Sequence, residues 1–201
     1  RHYNAAENTI NREMLEEEAC RKAQANLLSQ KQAELEEWKA KKDPEPERAQ
    51  NTVISRKALE EKGIPFLPLY KAADFKDDVP EETRGRIEEA LADMGLLDAL
   101  IIPDKYVAGL PQPLFEEGDR YIEPSPKLFR QELSMLLKPV VPKDGSITFE
   151  DIDNVLKSIL MDDKKSGTYL NEQGEYCIGL LSGNTSGSCR SRFLGAEARR
   201  R

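Results

Sequence analysis

The chain has 201 residues, of which 33% are charged and 38% hydrophobic, and its 37 acidic and 30 basic residues give a net charge of −7. The sequence contains no run of about 18 apolar residues, which argues against a membrane-spanning helix. A chain with a net negative charge is poorly suited to binding phosphate backbones, so the charge argues against nucleic acid as the main partner.

The first predicted element is a long N-terminal helix. Residues 5–42 contain neither Pro nor Gly and consist mostly of strong helix formers. The apolar stripe on this helix is thin, because Lys31 interrupts it before Leu35 and Trp38 resume the same face. We interpret residues 1–43 as an extended helical arm that docks on a partner protein through Leu35 and Trp38.

A proline-containing segment follows over residues 44–77. It includes a short predicted helix, residues 56–62 with Ser55 as its N-cap, and then an apolar run from Ile64 to Tyr70. Two prolines in that run argue against a central strand, so we expect a linker that wraps on its own domain or on another chain. Its predicted contact residues are Phe66, Leu67, Leu69 and Tyr70.

Residues 78–181 are predicted to form an acidic α-helical domain. Of the chain's 46 Leu, Ile, Val and Phe residues, 36 lie between Gly63 and Leu181, so this region can bury a core. Pro80 followed by two acids is typical of a helix start. Apolar periodicity predicts two further helices, at residues 126–138 and 149–161.

The C-terminal part of the chain changes character. Alternating apolar and polar residues around a turn at Asn171–Gly174 predict a β-hairpin that ends at Leu181. Residues 182–201 are rich in Gly, Ser and Arg and contain only two of the large apolar residues counted above. We expect them to form a flexible basic tail.

The predicted helix pair over residues 126–161 resembles an EF-hand. If Gly145 takes the sixth position of the calcium loop and Ile147 the eighth, Asp144 falls at the fifth and Asp151 at the twelfth. The resemblance implies a helix-loop-helix unit, with Asp144 and Asp151 as weak candidate ligands for calcium.

The same register predicts that calcium does not bind. It places Val140 and Pro142 at the first and third loop positions, where the family uses oxygen ligands. A calcium-responsive regulatory module is therefore an alternative function rather than the leading one. By analogy with EF-hand proteins, the resemblance also suggests a cytoskeletal or ciliary assembly as the setting.

A second alternative groups the helix at 126–138, the stretch Ser146–Thr148, the helix at 149–161 and the hairpin as a winged helix. A DNA-reading helix would present Lys and Arg, whereas this one offers Glu150, Asp151 and Asp153. A winged helix here is therefore expected to bind protein.

Residues that usually carry catalysis are scarce. The single histidine, His2, lies at the N-terminus, and Cys20, Cys177 and Cys189 show no metal-binding or redox spacing. We find no phosphate-binding Gly loop, nucleophile elbow or HExxH pattern. No catalytic residue and no cofactor is predicted, and scattered cysteines indicate the cytoplasm or another reducing compartment.

Together, these patterns predict a mainly α fold, with a long N-terminal helix and a small helical domain that ends in a hairpin. Thin apolar stripes and apolar loops favour burial against other protein subunits. The leading functional hypothesis is a non-enzymatic subunit of a larger protein assembly that docks through its arm and loops.

Overall fold

The computed structural model describes the backbone of residues 2–40, 44–108, 110, 118–127, 130–161, 163–164, 167–187 and 190–200, and within the first helix it describes the side chains of residues 14 and 17–35. The chain divides into two compact units, residues 1–43 and 44–201. This division falls where the sequence pattern ends the helical arm.

The first unit is a single helix, α1, from His2 to Ala40. Its 39 residues correspond to a rod about 58 Å long at 1.5 Å per residue. Helix-forming residues without Pro or Gly account for its length. Every side chain described between residues 17 and 35 is exposed.

The second unit combines short helices and short strands. Its helices are α2 (Gln50–Glu61), α3 (Leu69–Ala72), α4 (Glu81–Asp93), α5 (Asp104–Val107), α6 (Phe149–Leu156) and α7 (Ala196–Arg200), with a 3₁₀ helix at Leu133–Met135. Its strands are β1 (Leu67–Pro68), β2 (Ala73–Phe75), β3 (Leu100–Ile101), β4 (Leu137–Pro139), β5 (Leu160–Met161), β6 (Thr168–Leu170), β7 (Glu175–Ile178) and β8 (Leu181–Asn184).

The strands form three small sheets, so the prediction of a mainly α fold is wrong. Strands β1 and β3 pair antiparallel, as do β2 and β4. The largest sheet has the order β5-β6-β7-β8, in which β5 and β6 are parallel and the other pairs antiparallel. Outside the predicted hairpin, the strands have two to four residues and are too short to show a period of two, which is why apolar periodicity missed them.

The core of the second unit lies between α4, α6 and the sheets. Tyr70, Ile87, Leu91, Ile152 and Leu156 are each 0% exposed and belong to one apolar cluster. A smaller cluster is built by residues from α2, β3 and the loops that flank them, namely Leu59, Ile64, Leu100 and Ile102.

The helix predicted over residues 126–138 is not formed in the described residues. The chain instead makes the 3₁₀ helix and then β4, which pairs with β2 so that Leu137 lies opposite Phe75. Leu133 and Leu137 are both buried, as the apolar pattern predicts, but Leu133 lies in the 3₁₀ helix and Leu137 in β4. Backbone pairing with a distant strand thus replaces the local helix.

The helix starts and ends were predicted with mixed success. Helix α4 begins at Glu81, which confirms the predicted helix start, although Pro80 is the N-cap and not a residue of the first turn. Helix α6 begins after Thr148 as predicted but ends at Leu156, because Leu160 and Met161 pair with β6. Ser55 is wrong as an N-cap, since α2 starts at Gln50 and Ser55 lies inside it, buried.

The predicted hairpin is confirmed, but its second strand ends at Ile178, and Leu181 begins β8. Strands β6 and β7 pair antiparallel, and the amide of Gly174 donates to the carbonyl oxygen of Asn171 at 3.0 Å across the turn. Strand β8 adds a further strand from residues that were expected to be a tail.

The expectation of a flexible tail over residues 182–201 is therefore wrong in the described residues. They form β8 and α7, and Leu194 is 1% exposed within the main core. The linker expected over residues 44–77 is likewise part of the folded unit, because it supplies α2, β1, α3 and β2. These C-terminal residues contain only two large apolar side chains, and hydrogen bonds supply the rest of their attachment to the folded unit.

Candidate interaction site

Helix α1 carries an exposed apolar stripe. Met14, Leu28 and Leu35 are spaced by multiples of seven residues and are 57%, 61% and 53% exposed, and Arg21 occupies the remaining position of that spacing. Leu27 flanks the stripe at 57% exposure. The structure thus places the predicted contact residue Leu35 on an open helical face, whereas the side chain of Trp38 lies outside the described residues.

The contact residues predicted between Phe66 and Tyr70 lie within their own domain. Leu69 and Tyr70 are 0% exposed, and Leu67 pairs with Ile101 across β1 and β3. Phe66 and Leu67 are half-buried and pack against the two apolar clusters. Leu69 and Tyr70 therefore belong to the domain's own core and are not available to a partner, whereas docking through the half-buried Phe66 and Leu67 stays a prediction.

The carboxylates proposed as weak calcium ligands hold the turn before α6. Asp144 Oδ1 accepts hydrogen bonds from the amide and the hydroxyl of Ser146, at 3.1 and 2.8 Å, and these bonds lower the pKa of Asp144. Asp151 Oδ2 accepts from the amide and the hydroxyl of Thr148, at 2.8 and 2.7 Å. The amide of Asp151 donates to Thr148 Oγ1 at 3.2 Å, which completes a capping box.

In the part of the chain that the structure describes, the elements beside this turn differ from those that the two alternatives predict. The first helix of the EF-hand-like pair is replaced by the 3₁₀ helix and β4, and Ser146–Thr148 is not a strand. Within the described part of the chain, no three His, Cys, Asp or Glu side chains are grouped as a metal site would need.

Sequence reasoning missed an ion network on the N-terminal side of the second unit. Arg56, on the buried face of α2, donates Nε to Asp119 at 3.0 Å and Nη2 to Asp98 at 3.0 Å. Arg48 donates to both oxygens of Asp98, at 2.7 and 2.8 Å. The side chains of Arg56 and Asp119 are only 10% and 2% exposed, so each charge depends on its partner.

The network continues to the surface through Glu45. Its carboxylate accepts from Lys71 at 2.7 Å and from Arg48 at 2.6 Å. The bond from Lys71, together with that from Arg48, lowers the pKa of Glu45 to about 2, and the carboxylate of Asp98 raises the pKa of Arg48. The only local signal for this network was Arg56, three residues before the buried Leu59 on the same helix face.

A second missed feature is the attachment of the C-terminal residues to α4. Glu88 is 6% exposed, and its carboxylate accepts from the hydroxyl of Ser191 at 2.6 Å. It also accepts from the amides of Arg192 at 2.7 Å, Phe193 at 3.1 Å and Leu194 at 2.8 Å. An acidic residue inside an amphipathic helix gives no sign of such a role.

One groove of the second unit is lined in part by charged groups that bind one another. The groove near the ion network, about 530 Å³, includes Glu45, Arg48 and Lys71 in its lining, and these three are paired together.

Two side chains of β7 also have hydrogen-bond partners. The Cys177 thiol donates to the carbonyl oxygen of Gly179 at 3.7 Å, and the Tyr176 hydroxyl donates to Asp93 at 3.2 Å. Burial, together with Asp93, raises the pKa of Tyr176.

Among the described residues, no helix combines the length and apolarity needed to cross a bilayer.

Comparison with known proteins found no matching family model, no similar curated protein and no similar solved structure.

Proposed function

We propose that the protein is a non-enzymatic interaction module that docks on another protein chain through α1. One observation carries the proposal: a 39-residue helix forms a unit of its own and exposes Leu28 and Leu35 on one face. Most helices in proteins owe their stability to a packed apolar face. A partner that covers this stripe supplies that packing.

The partner surface we propose is a second α-helix from another protein. The stripe on α1 is narrow, and residues seven apart occupy equivalent positions along the seam of a helix pair. Charged residues interrupt and border the stripe, as shown by Lys31, which forms an ion pair with Glu34 at 2.7 Å. A helix with one apolar seam and charged flanks therefore fits α1 better than a broad apolar pocket does.

The same proposal includes a reducing compartment. Cys20 is exposed on α1 and carries a free thiol, and Cys177 is also free. An exposed free thiol on a docking helix is compatible with conditions that keep thiols reduced.

Site-directed photo-crosslinking in the cells that naturally make the protein tests the proposal. A photoreactive side chain replaces Leu28 or Leu35 in two variants and Gln30, on the opposite face of α1, in the control. We expect crosslinks from positions 28 and 35, mapped to a helical segment of another protein, and none above background from position 30. Equal crosslinking from both faces, or crosslinks only within the same chain, would contradict the proposal.

A further inference from the structure

Tyr70 lies between the two ends of the second unit. We name residues 44–49 the N-terminal segment and residues 190–199 the C-terminal segment. Tyr70 belongs to α3 and is 0% exposed. One segment bonds to its hydroxyl group and the other to its carbonyl oxygen.

The N-terminal segment reaches Tyr70 by two routes. Arg48 donates Nη2 to the Tyr70 hydroxyl at 3.1 Å. The same guanidinium holds Asp98, which directly follows Leu97, and the carbonyl oxygen of Leu97 accepts from the Tyr70 amide at 3.0 Å. The position of Arg48 is therefore linked to both the side chain and the backbone of Tyr70.

The C-terminal segment holds the other side of the residue. Arg199 donates Nη1 to the Tyr70 carbonyl oxygen at 3.0 Å and to the Phe193 carbonyl oxygen at 2.8 Å. The Phe193 ring meets the Tyr70 ring edge-on, with centroids 6.2 Å apart and an interplanar angle of 75°. Tyr70 is thus packed and hydrogen-bonded by residues from the C-terminal segment.

We propose that Tyr70 couples the two segments, so that freeing the N-terminal segment loosens the C-terminal segment and the reverse. A close-packed interior transmits a displaced ring to its neighbours, because no empty space absorbs the movement. As an equilibrium coupling, the effect has the same size in both directions. The inference is independent of the proposed function, since both segments belong to the second unit.

Amide hydrogen exchange in the full-length protein tests the coupling. The amides of Phe193 and Leu194 donate to Glu88 and not to any partner of Arg48. If Arg48→Met acts only on the immediate partners of Arg48, the exchange of these two amides stays unchanged. We expect Arg48→Met to accelerate their exchange about threefold or more, relative to the Asp151 amide in α6. The matched control is Arg130→Met, which removes an ion pair with Asp163 elsewhere, and it should leave these amides unchanged.

A double-mutant cycle separates coupling from general destabilisation. Tyr70→Phe removes the hydroxyl and keeps the ring and the carbonyl group, so in that background Arg48→Met should lose at least about half of its effect. Arg199→Met should in turn accelerate exchange of the Val53 amide, which donates to Ala49 in the N-terminal segment. If Arg48→Met unfolds the unit, Arg48→Lys takes its place.

Two outcomes would overturn the proposal. One is unchanged exchange at Phe193 and Leu194 in the Arg48 variant that remains folded. The other is the same acceleration with and without the Tyr70 hydroxyl.

Discussion

Buried charged side chains attach both ends of the second unit to its core. Arg56 and Asp119 do so near the N-terminus, and Glu88 does so near the C-terminus. In both places an ionic group satisfies donors or charges that water no longer reaches, and removing one partner leaves the others unpaired. Apolar patterning carries no information about such pairs, so the sequence did not predict them.

Glu88→Ala is expected to lower the free energy of unfolding by about 2–4 kcal/mol, because it strips the acceptor from one hydroxyl and three amide donors. Urea unfolding of the full-length protein measures the change. Glu82→Ala is the control, since the Glu82 side chain is 68% exposed on the same helix and its loss should cost under about 0.5 kcal/mol. Equal effects of the two substitutions would show that the C-terminal attachment contributes little.

The ion pairs of Glu45 should make a pH-dependent contribution to the free energy of unfolding. The folded pKa of Glu45 is about 2, against an ordinary value of 4.5, so this contribution is present above pH 4.5 and disappears as the pH falls to about 2. Because the Glu45 side chain is 44% exposed, we expect its contribution to the free energy of unfolding to be less than about 1 kcal/mol.

The measurement for Glu45 is the difference in unfolding free energy between wild type and Glu45→Gln as a function of pH. This difference should shrink as the pH falls from 4.5 to about 2, and it should also be smaller in 1 M salt. A difference that grows as the pH falls would contradict the assigned ion pairs with Lys71 and Arg48.

Single elements show where sequence patterns succeed and where they fail. Helix α4 was predictable because Pro80, two acids and an apolar face all indicate one structure. Leu133 and Leu137 have the same helical spacing, yet they lie in a 3₁₀ helix and in β4. The difference comes from the pairing of β4 with β2, a contact between residues about sixty positions apart that no local window contains.

The capping box of α6 yields a prediction at the same scale. Thr148→Ala removes the hydroxyl that accepts from the Asp151 amide, and we expect a loss of about 0.5–2 kcal/mol in unfolding free energy. Thr148→Ser keeps a hydroxyl and should stay within about 0.5 kcal/mol of wild type. Chemical denaturation of the three proteins checks this, and similar losses for Ala and Ser would rule out a capping role.

At the scale of the whole molecule, the boundary of the folded unit differs from what composition suggests. Only 8 of the 46 large apolar residues precede Gly63, which favours a fold that begins there. The structure begins it at Pro44, because Leu59 is fully buried and Arg56 neutralises the buried Asp119.

A chain that starts at Pro44 should therefore keep the urea midpoint of the second unit. A chain that starts at Gly63 should lose about 3–5 kcal/mol or fail to fold, because it leaves Asp119 without its partner. Circular dichroism of the two truncated proteins distinguishes them. Equal stability of both would place the boundary at Gly63 after all.

The proposed docking of α1 on a partner helix through its exposed stripe can be measured as a binding affinity. Once crosslinking has identified the partner, the decisive experiment compares the affinities of Leu35→Ala and Trp38→Ala for it with their urea midpoints. We predict an affinity loss of about 30- to 1,000-fold at the stronger of the two positions, an unchanged midpoint, and no effect of Gln30→Ala. A lowered midpoint with unchanged affinity would place the stripe in the protein's own core and contradict the account.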